Sequence, residues 1–160
     1  MMPRAQELTD HDIETLIKCH KVVREGKFQK IKFVEKDGYR RFNLEVESSI
    51  SEYSFGVFCR QAVDDPMDFS AGLTVYFQDG SNTNLMRCNG LHGQHRNKIE
   101  KTIIKGKHIH IATERYIRRG NDAEAFAVAV DDDYNNVESA FECLLDRCNI
   151  DIEGVRLFKF

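Results

Sequence analysis

The sequence predicts an α+β fold, a curved and largely antiparallel sheet with an N-terminal and a C-terminal helix. Three observations carry this reading. Apolar residues recur at helical spacing near both ends of the 160 residues. Between them, segments rich in aromatic and β-branched residues alternate with period two. The order of helix, run of strands and helix also lacks the strand–helix alternation of a parallel sheet. One domain over residues 1–160 follows, with a helix at about 9–25, sheet at about 28–130 and a helix at about 135–149.

The first helix is read from "LTDHDIETLIKCHKVVREG". Thr9 with Asp12 three residues on makes a capping-box pattern. Ile13, Leu16, Ile17 and His20 repeat on one face, so His20 is expected to be packed and hydrogen-bonded, and Gly26 ends the run. In "RRFNLEVES", Phe42, Leu44 and Val46 point one way and Arg41, Asn43, Glu45 and Glu47 the other, the mark of a half-buried antiparallel strand. "YSFGVFCRQA" and "FSAGLTVYFQ" read as strands, each with a glycine expected to mark a bulge. "QDGSN" reads as a turn, which joins 69–78 to 83–89 in a hairpin. "KHIHIATE" and "AEAFAVAV" supply further strands. The last helix has Asn135 and Glu138 as its expected capping box, Asp131 to Asp133 at its positive end, and Val137, Phe141, Leu144, Leu145 and Cys148 as its apolar stripe.

Composition narrows the class. With 41% hydrophobic and 31% charged residues the chain reads as an ordinary soluble protein. No segment approaches the roughly 20 apolar residues of a membrane span, so no membrane partner is expected. Five scattered cysteines without a C-x-x-C spacing argue for reduced thiols in a cytoplasm rather than disulfides or a zinc knuckle. Charge is uneven. Residues 87–119 hold nine lysines and arginines against two glutamates, a net +7 in a chain of net −3, which points towards phosphate or an acidic partner.

The densest chemistry lies in "KGKHIHIATERYIRRG", residues 105–120. As a strand, 107–114 would place His108, His110, Ala112 and Glu114 on one face and Ile109, Ile111 and Thr113 on the other. The isoleucines would then be buried and the imidazoles would face a cleft. The preceding "RCNGLHGQHRN", residues 87–97, reads as a glycine-punctuated loop carrying His92 and His95.

Three readings meet these residues. In metal-independent phosphodiester cleavage, His95, His108 and His110 would transfer or position protons, with Tyr116 on the substrate. Arg87, Arg96 and Arg115 would hold phosphate, with Asn89, Asn97 and Glu114 in support. RNA or another phosphate-containing ligand is then the partner, and no cofactor is needed. In the second reading a divalent metal is bound, since "HIHIATE" is similar to half of a cupin metal motif, H-x-H-x(3)-E, but without its upstream glycine or its proline-containing second half. In the third, the basic face is a solvated surface whose histidines merely hydrogen-bond, or it engages an acidic protein partner.

Four pieces in order, "LTDHDIETLIKCHK", "RRFNLEVE", "RCNGLHGQHRN" with "HIHIATERY", and "VESAFECLLDRCNI", together resemble a family of small, functionally uncharacterised bacterial proteins found among mobile elements. In that family an arginine, a Gly-x-x-H-x-N-like loop and an H-x-H strand recur; Arg87, Gly90, His95, Asn97, His108 and His110 occupy those places, with Glu114 and Tyr116 after them. The resemblance implies an accessory role in a toxin–antitoxin or phage-linked module and no known reaction. The chain departs from it by inserting "KIEKTIIKGK" between loop and strand.

Overall fold

A computed structural model describes residues 3–29, 31–50 and 52–154. It is an α+β fold built on a nine-stranded mixed sheet, with a two-stranded ribbon beside it. After a 3-10 turn at Ala5–Glu7, α1 (Asp10–Lys18) leads through β1 (Lys21–Val23) and α2 (Glu25–Gln29) to β2 (Val34–Lys36). Next come β3 (Tyr39–Ser48), β4 (Ser54–Ala62), β5 (Phe69–Tyr76) and β6 (Asn82–Asn89). The ribbon is β7 (His95–Asn97) with β8 (Thr102–Ile104), followed by β9 (His108–Ile111), α3 (Glu114–Arg118) and β10 (Phe126–Ala129). The chain closes with α4 (Val137–Arg147) and β11 (Ile150–Ile152). Strand order is β10-β9-β6-β5-β4-β3-β1-β11, antiparallel except where β1 meets β11.

The period-two pattern sorts the sheet into two faces. Phe42, Leu44 and Val46 of β3, Phe55, Val57 and Cys59 of β4, and Phe69, Ala71, Leu73 and Val75 of β5 are all buried. They form one core with Ile13, Leu16 and Ile17 of α1 and Phe141, Leu144 and Leu145 of α4. Each such Val, Leu, Ile or Phe side chain contributes roughly 1.5–3 kcal/mol of apolar burial. Among the described residues the opposite face of β3 carries Arg41, Asn43, Glu45 and Glu47, and Lys27 of α2 reaches Glu45 there. One irregularity decides what stands on it. Leu73 pairs with Met86 and Thr74 with Asn84, so Leu85 falls between pairs as a bulge. The extra residue brings Asn84 and Arg87, three apart in sequence, onto the same open face.

Several expected boundaries shift. The first helix stops at Lys18, not near 25, because the chain turns into β1 to pair with β11. The sheet therefore extends beyond 28–130 at both ends. His20 leaves the helix and is an exposed partner of Asp151, at 2.7 Å, rather than a packed histidine. The predicted Thr9–Asp12 capping box is present. At α4 the box is Asn136 with Ser139, one residue later than Asn135 with Glu138. Glycines 56 and 72 mark no bulge in β4 or at their own positions. A Cβ on Gly72 would sit 2.3 Å from Phe58 Cζ, and one on Gly56 would sit 3.1 Å from Tyr76 Cε2. Each is small because an aromatic ring from the adjacent strand covers it.

One buried polar feature follows from how the helices end. Lys21 is fully buried, and its ammonium donates to the carbonyls of Ile17, Cys19 and Cys148 at 2.7, 2.9 and 2.8 Å. It thereby caps the C-termini of α1 and α4 together. All five cysteines are free thiols. Arg147 Nε donates to the Cys143 sulfur at 3.3 Å, and the neighbouring Cys88 thiol and this guanidinium hold the Cys143 thiol below the usual range. Iodoacetamide is therefore expected to label Cys143 first, with a rate that levels off at a lower pH than that of the other thiols. Peptide mapping across pH 5–9 checks this; first labelling of Cys19, or a rate still rising at pH 9, would count against it.

Candidate metal centre

Three histidines predicted from separate stretches meet in space. β9 lies between β6 and β10, and His108 and His110 stand beside Asn89 and Arg87, their register partners on β6. His95 arrives from the β7–β8 ribbon. Asn97 pins that ribbon to the edge strand, donating to the Ala127 carbonyl at 2.8 Å and accepting from the Ala127 amide at 2.9 Å. The inserted "KIEKTIIKGK" supplies the turn and second strand of the ribbon, so it places His95 over the sheet. Residues 87–97 are thus not one loop, since Arg87–Asn89 end β6 and His95–Asn97 form β7.

The rings of His95 and His110 are 4.6 Å apart, those of His108 and His110 4.9 Å, and those of His95 and His108 5.5 Å. One nitrogen from each of the three lies within 4.8 Å of the others. The remaining nitrogens are engaged by backbone carbonyls: His95 Nε2 with Ala125 at 2.7 Å, His108 Nδ1 with Gly106 and His110 Nδ1 with Glu124, both at 2.8 Å. A carbonyl only accepts, so these nitrogens carry the protons. His95 Nδ1 and the Nε2 atoms of His108 and His110 keep their lone pairs. Burial lowers the pKa of His108, and burial together with Arg87 lowers that of His110 to about 3, so both rings stay neutral at physiological pH.

The site opens to a hollow of about 330 Å³ whose walls include Arg87, His92, Arg96, Lys98, Asp122 and Glu124. His92 sits at its rim, its ring 5.9 Å from that of His108. Buried polar atoms rarely lack partners, yet among the described residues four of the five that do are here or adjoining: Arg87 Nε, Asn89 Nδ2, His108 Nε2 and Glu124 Oε2. Burial, the largest influence, lowers the pKa of Arg87 and raises that of Glu124, while each charge favours the ionised form of the other.

The other expected site residues are placed differently. β9 ends at Ile111 because the Thr113 side chain caps α3, accepting from the Tyr116 amide. Glu114 therefore does not share the histidine face; it accepts from the Asp10 amide at 3.3 Å and pairs with Arg118. The face expected to be open is itself covered, His108 and His110 being as buried as Ile109. Tyr116 does line the hollow, but it is fully buried and its hydroxyl donates to Glu100 at 2.7 Å, which holds the ribbon turn. Arg115 binds the same glutamate at 3.0 Å, outside the hollow. Lys107 is spent on the carbonyls of Asp131 and Tyr134. The +7 segment is thus dispersed, and within the hollow Arg87, Arg96 and Lys98 face Asp122 and Glu124. Asn89 is buried under the site and accepts from Ser70 at 2.8 Å.

Fold and site together define an α+β protein with a triad of two buried imidazoles and one half-buried one near the edge of its sheet. Residues 8–150 match a family of unknown function (DUF6978), and the chain belongs to that family. Neither curated proteins nor solved structures yield a match. No described helix is long and apolar enough to cross a membrane.

Proposed function

We propose that the chain is a metal-dependent protein of hydrolytic type, with His95, His108 and His110 holding one divalent transition ion, zinc by the nature of its donors. The observation that carries this reading is the tautomer arrangement. Each ring is oriented by a backbone carbonyl on its protonated nitrogen, and one ligand nitrogen of each ring lies within 4.8 Å of those of the other two. Such second-shell bonds are the usual device for aiming imidazoles at a metal. Three protein ligands with a fourth position open to solvent is the pattern of catalytic rather than structural zinc. Tetrahedral zinc holds its nitrogen ligands about 3.3 Å apart, so the rings close inward slightly on binding.

A water on the open position would be ionised near neutrality and act as nucleophile. Arg87 in the wall would hold the developing charge of a phosphoryl group. This places the phosphate chemistry expected from the sequence on a metal rather than on free imidazoles. A cytoplasmic accessory role in a mobile-element or toxin–antitoxin module, which the sequence resemblance implies, suits such an activity, as do five free thiols.

Metal analysis of the purified full chain after zinc loading and desalting is expected to give one zinc per chain, with hydrolysis of bis-p-nitrophenyl phosphate that chelator removes and zinc restores. Zinc at background levels would reject the metal centre. Bound zinc with hydrolysis indifferent to chelator would reject its hydrolytic role.

A further inference from the structure

We propose that the open face of the sheet is a track for single-stranded nucleic acid that leads to the histidine centre; the centre's metal matters to this only for what happens at the track's end. Strand register lays the track out. Arg41, Arg60, Ser70, Asn89 and His108 stand in one row across β3, β4, β5, β6 and β9. Asn43, Phe58, Gly72, Arg87 and His110 form the next. All are on the face opposite the helical core, where Arg41 and Asn43 are exposed, Phe58, Arg60 and Arg87 half-buried, and Ser70, Asn89, His108 and His110 form the buried floor.

The hollows on this face run together. Arg87 and Glu124 line both the histidine hollow and a neighbour of about 550 Å³. That neighbour shares Arg41, Phe58, Thr74 and Tyr76 with a third of about 920 Å³ over β3 and β4. Four strand steps of about 4.8 Å make a path of roughly 19 Å, the length of about five stacked nucleotides at roughly 3.4 Å each.

The chemistry along the path matches bases and phosphates in alternation. Tyr76 is 46% exposed and Phe58 half-buried. Each covers a glycine of the neighbouring strand, so one side of the ring is supported by backbone. Sheet faces read single-stranded RNA in this way, with bases stacked on aromatic rings and phosphates held by arginine. Arg87 is half-buried in the wall that the two hollows share. The Arg60 guanidinium lies 4.5 Å from the Tyr39 ring centroid and only 3.6 Å from Asp68, beyond hydrogen-bond length. Arg41 flanks Phe58 at 5.2 Å. At the far end Glu45 and Glu47 are neutralised by Lys27 and Arg24.

The test is fluorescence anisotropy of a labelled ten-residue oligouridylate with the full chain, in chelator and again with one equivalent of zinc. Binding is expected in both, with log K falling against log salt at a slope of about −2 for three arginine contacts. Uridine monophosphate and inorganic phosphate are expected to compete at least 100-fold more weakly than unlabelled ten-mer. The exposed substitutions Y76A and R41Q, together with R60Q, are each expected to weaken binding about 5- to 30-fold. An unchanged affinity in all three variants, or a mononucleotide as tight as the ten-mer, would overturn the track. Because binding is read without metal, a failed zinc centre leaves this result standing, and failed RNA binding leaves the zinc result standing.

Discussion

Replacing His110 by alanine is expected to lower zinc affinity at least about 100-fold, the largest effect of any single substitution in the site. The ring supplies one of three ligands, and removing even an orienting partner of such a ligand costs 10- to 100-fold. His110 is buried with Nδ1 fixed by the Glu124 carbonyl, so no other described side chain on β9 takes its place. The readout is thermal as well as direct. At zinc 100-fold above its dissociation constant the native state gains about 2.7 kcal/mol, and that upshift in Tm should vanish in H110A. The conservative variant H110Q controls for the volume lost. H92A, at the rim, is expected to stay within about 3-fold of the native affinity, because His92 is not part of the converging triad. Equal losses in H92A and H110A would mean that the ion sits elsewhere.

The second large effect is on stability. Lys21→Met keeps the length of the side chain and removes its three donors, leaving the carbonyls of Ile17, Cys19 and Cys148 unsatisfied where α1 and α4 end. Unpaired buried acceptors cost about 1–3 kcal/mol each when fully desolvated. The charged form of lysine is itself disfavoured there, since burial lowers its pKa, so the net loss is about 3 kcal/mol. For a chain of this size that is a fall in Tm of about 10 °C. Thermal unfolding followed by circular dichroism reads it, and a Tm within two degrees of the native value would contradict the capping role.

Both effects rest on features that differ in how far they could be read from residues alone. The strands of β3, β4 and β5 are legible because burial enforces strict alternation, and the Thr9–Asp12 box is legible because capping is local. His95, His108, His110 and Arg87 stand out by their chemistry. What the alternation hides is the bulge at Leu85, without which Asn84 and Arg87 fall on opposite faces. Glu114 misleads because H-x-H-x(3)-E keeps its spacing only while the strand continues, and Thr113 ends it by capping α3. The carbonyls of Gly106, Glu124 and Ala125 that set the tautomers are backbone atoms and leave no signature in residue type. Arg60 and Arg41 reach the hollow beside the histidines only through register across the sheet, a long-range fact. Burial of Lys21 runs against the ordinary exposure of lysine and needs two helix ends to meet before it has a reason.

The most direct measurement is anomalous diffraction at the zinc edge from crystals of the full chain grown with one equivalent of zinc. The account predicts a single strong peak about 2.0–2.1 Å from one nitrogen of each of His95, His108 and His110, with Gly106, Glu124 and Ala125 carbonyls still holding the opposite nitrogens. Crystals that bind zinc through other residues, or that show no peak between these three rings, would contradict it.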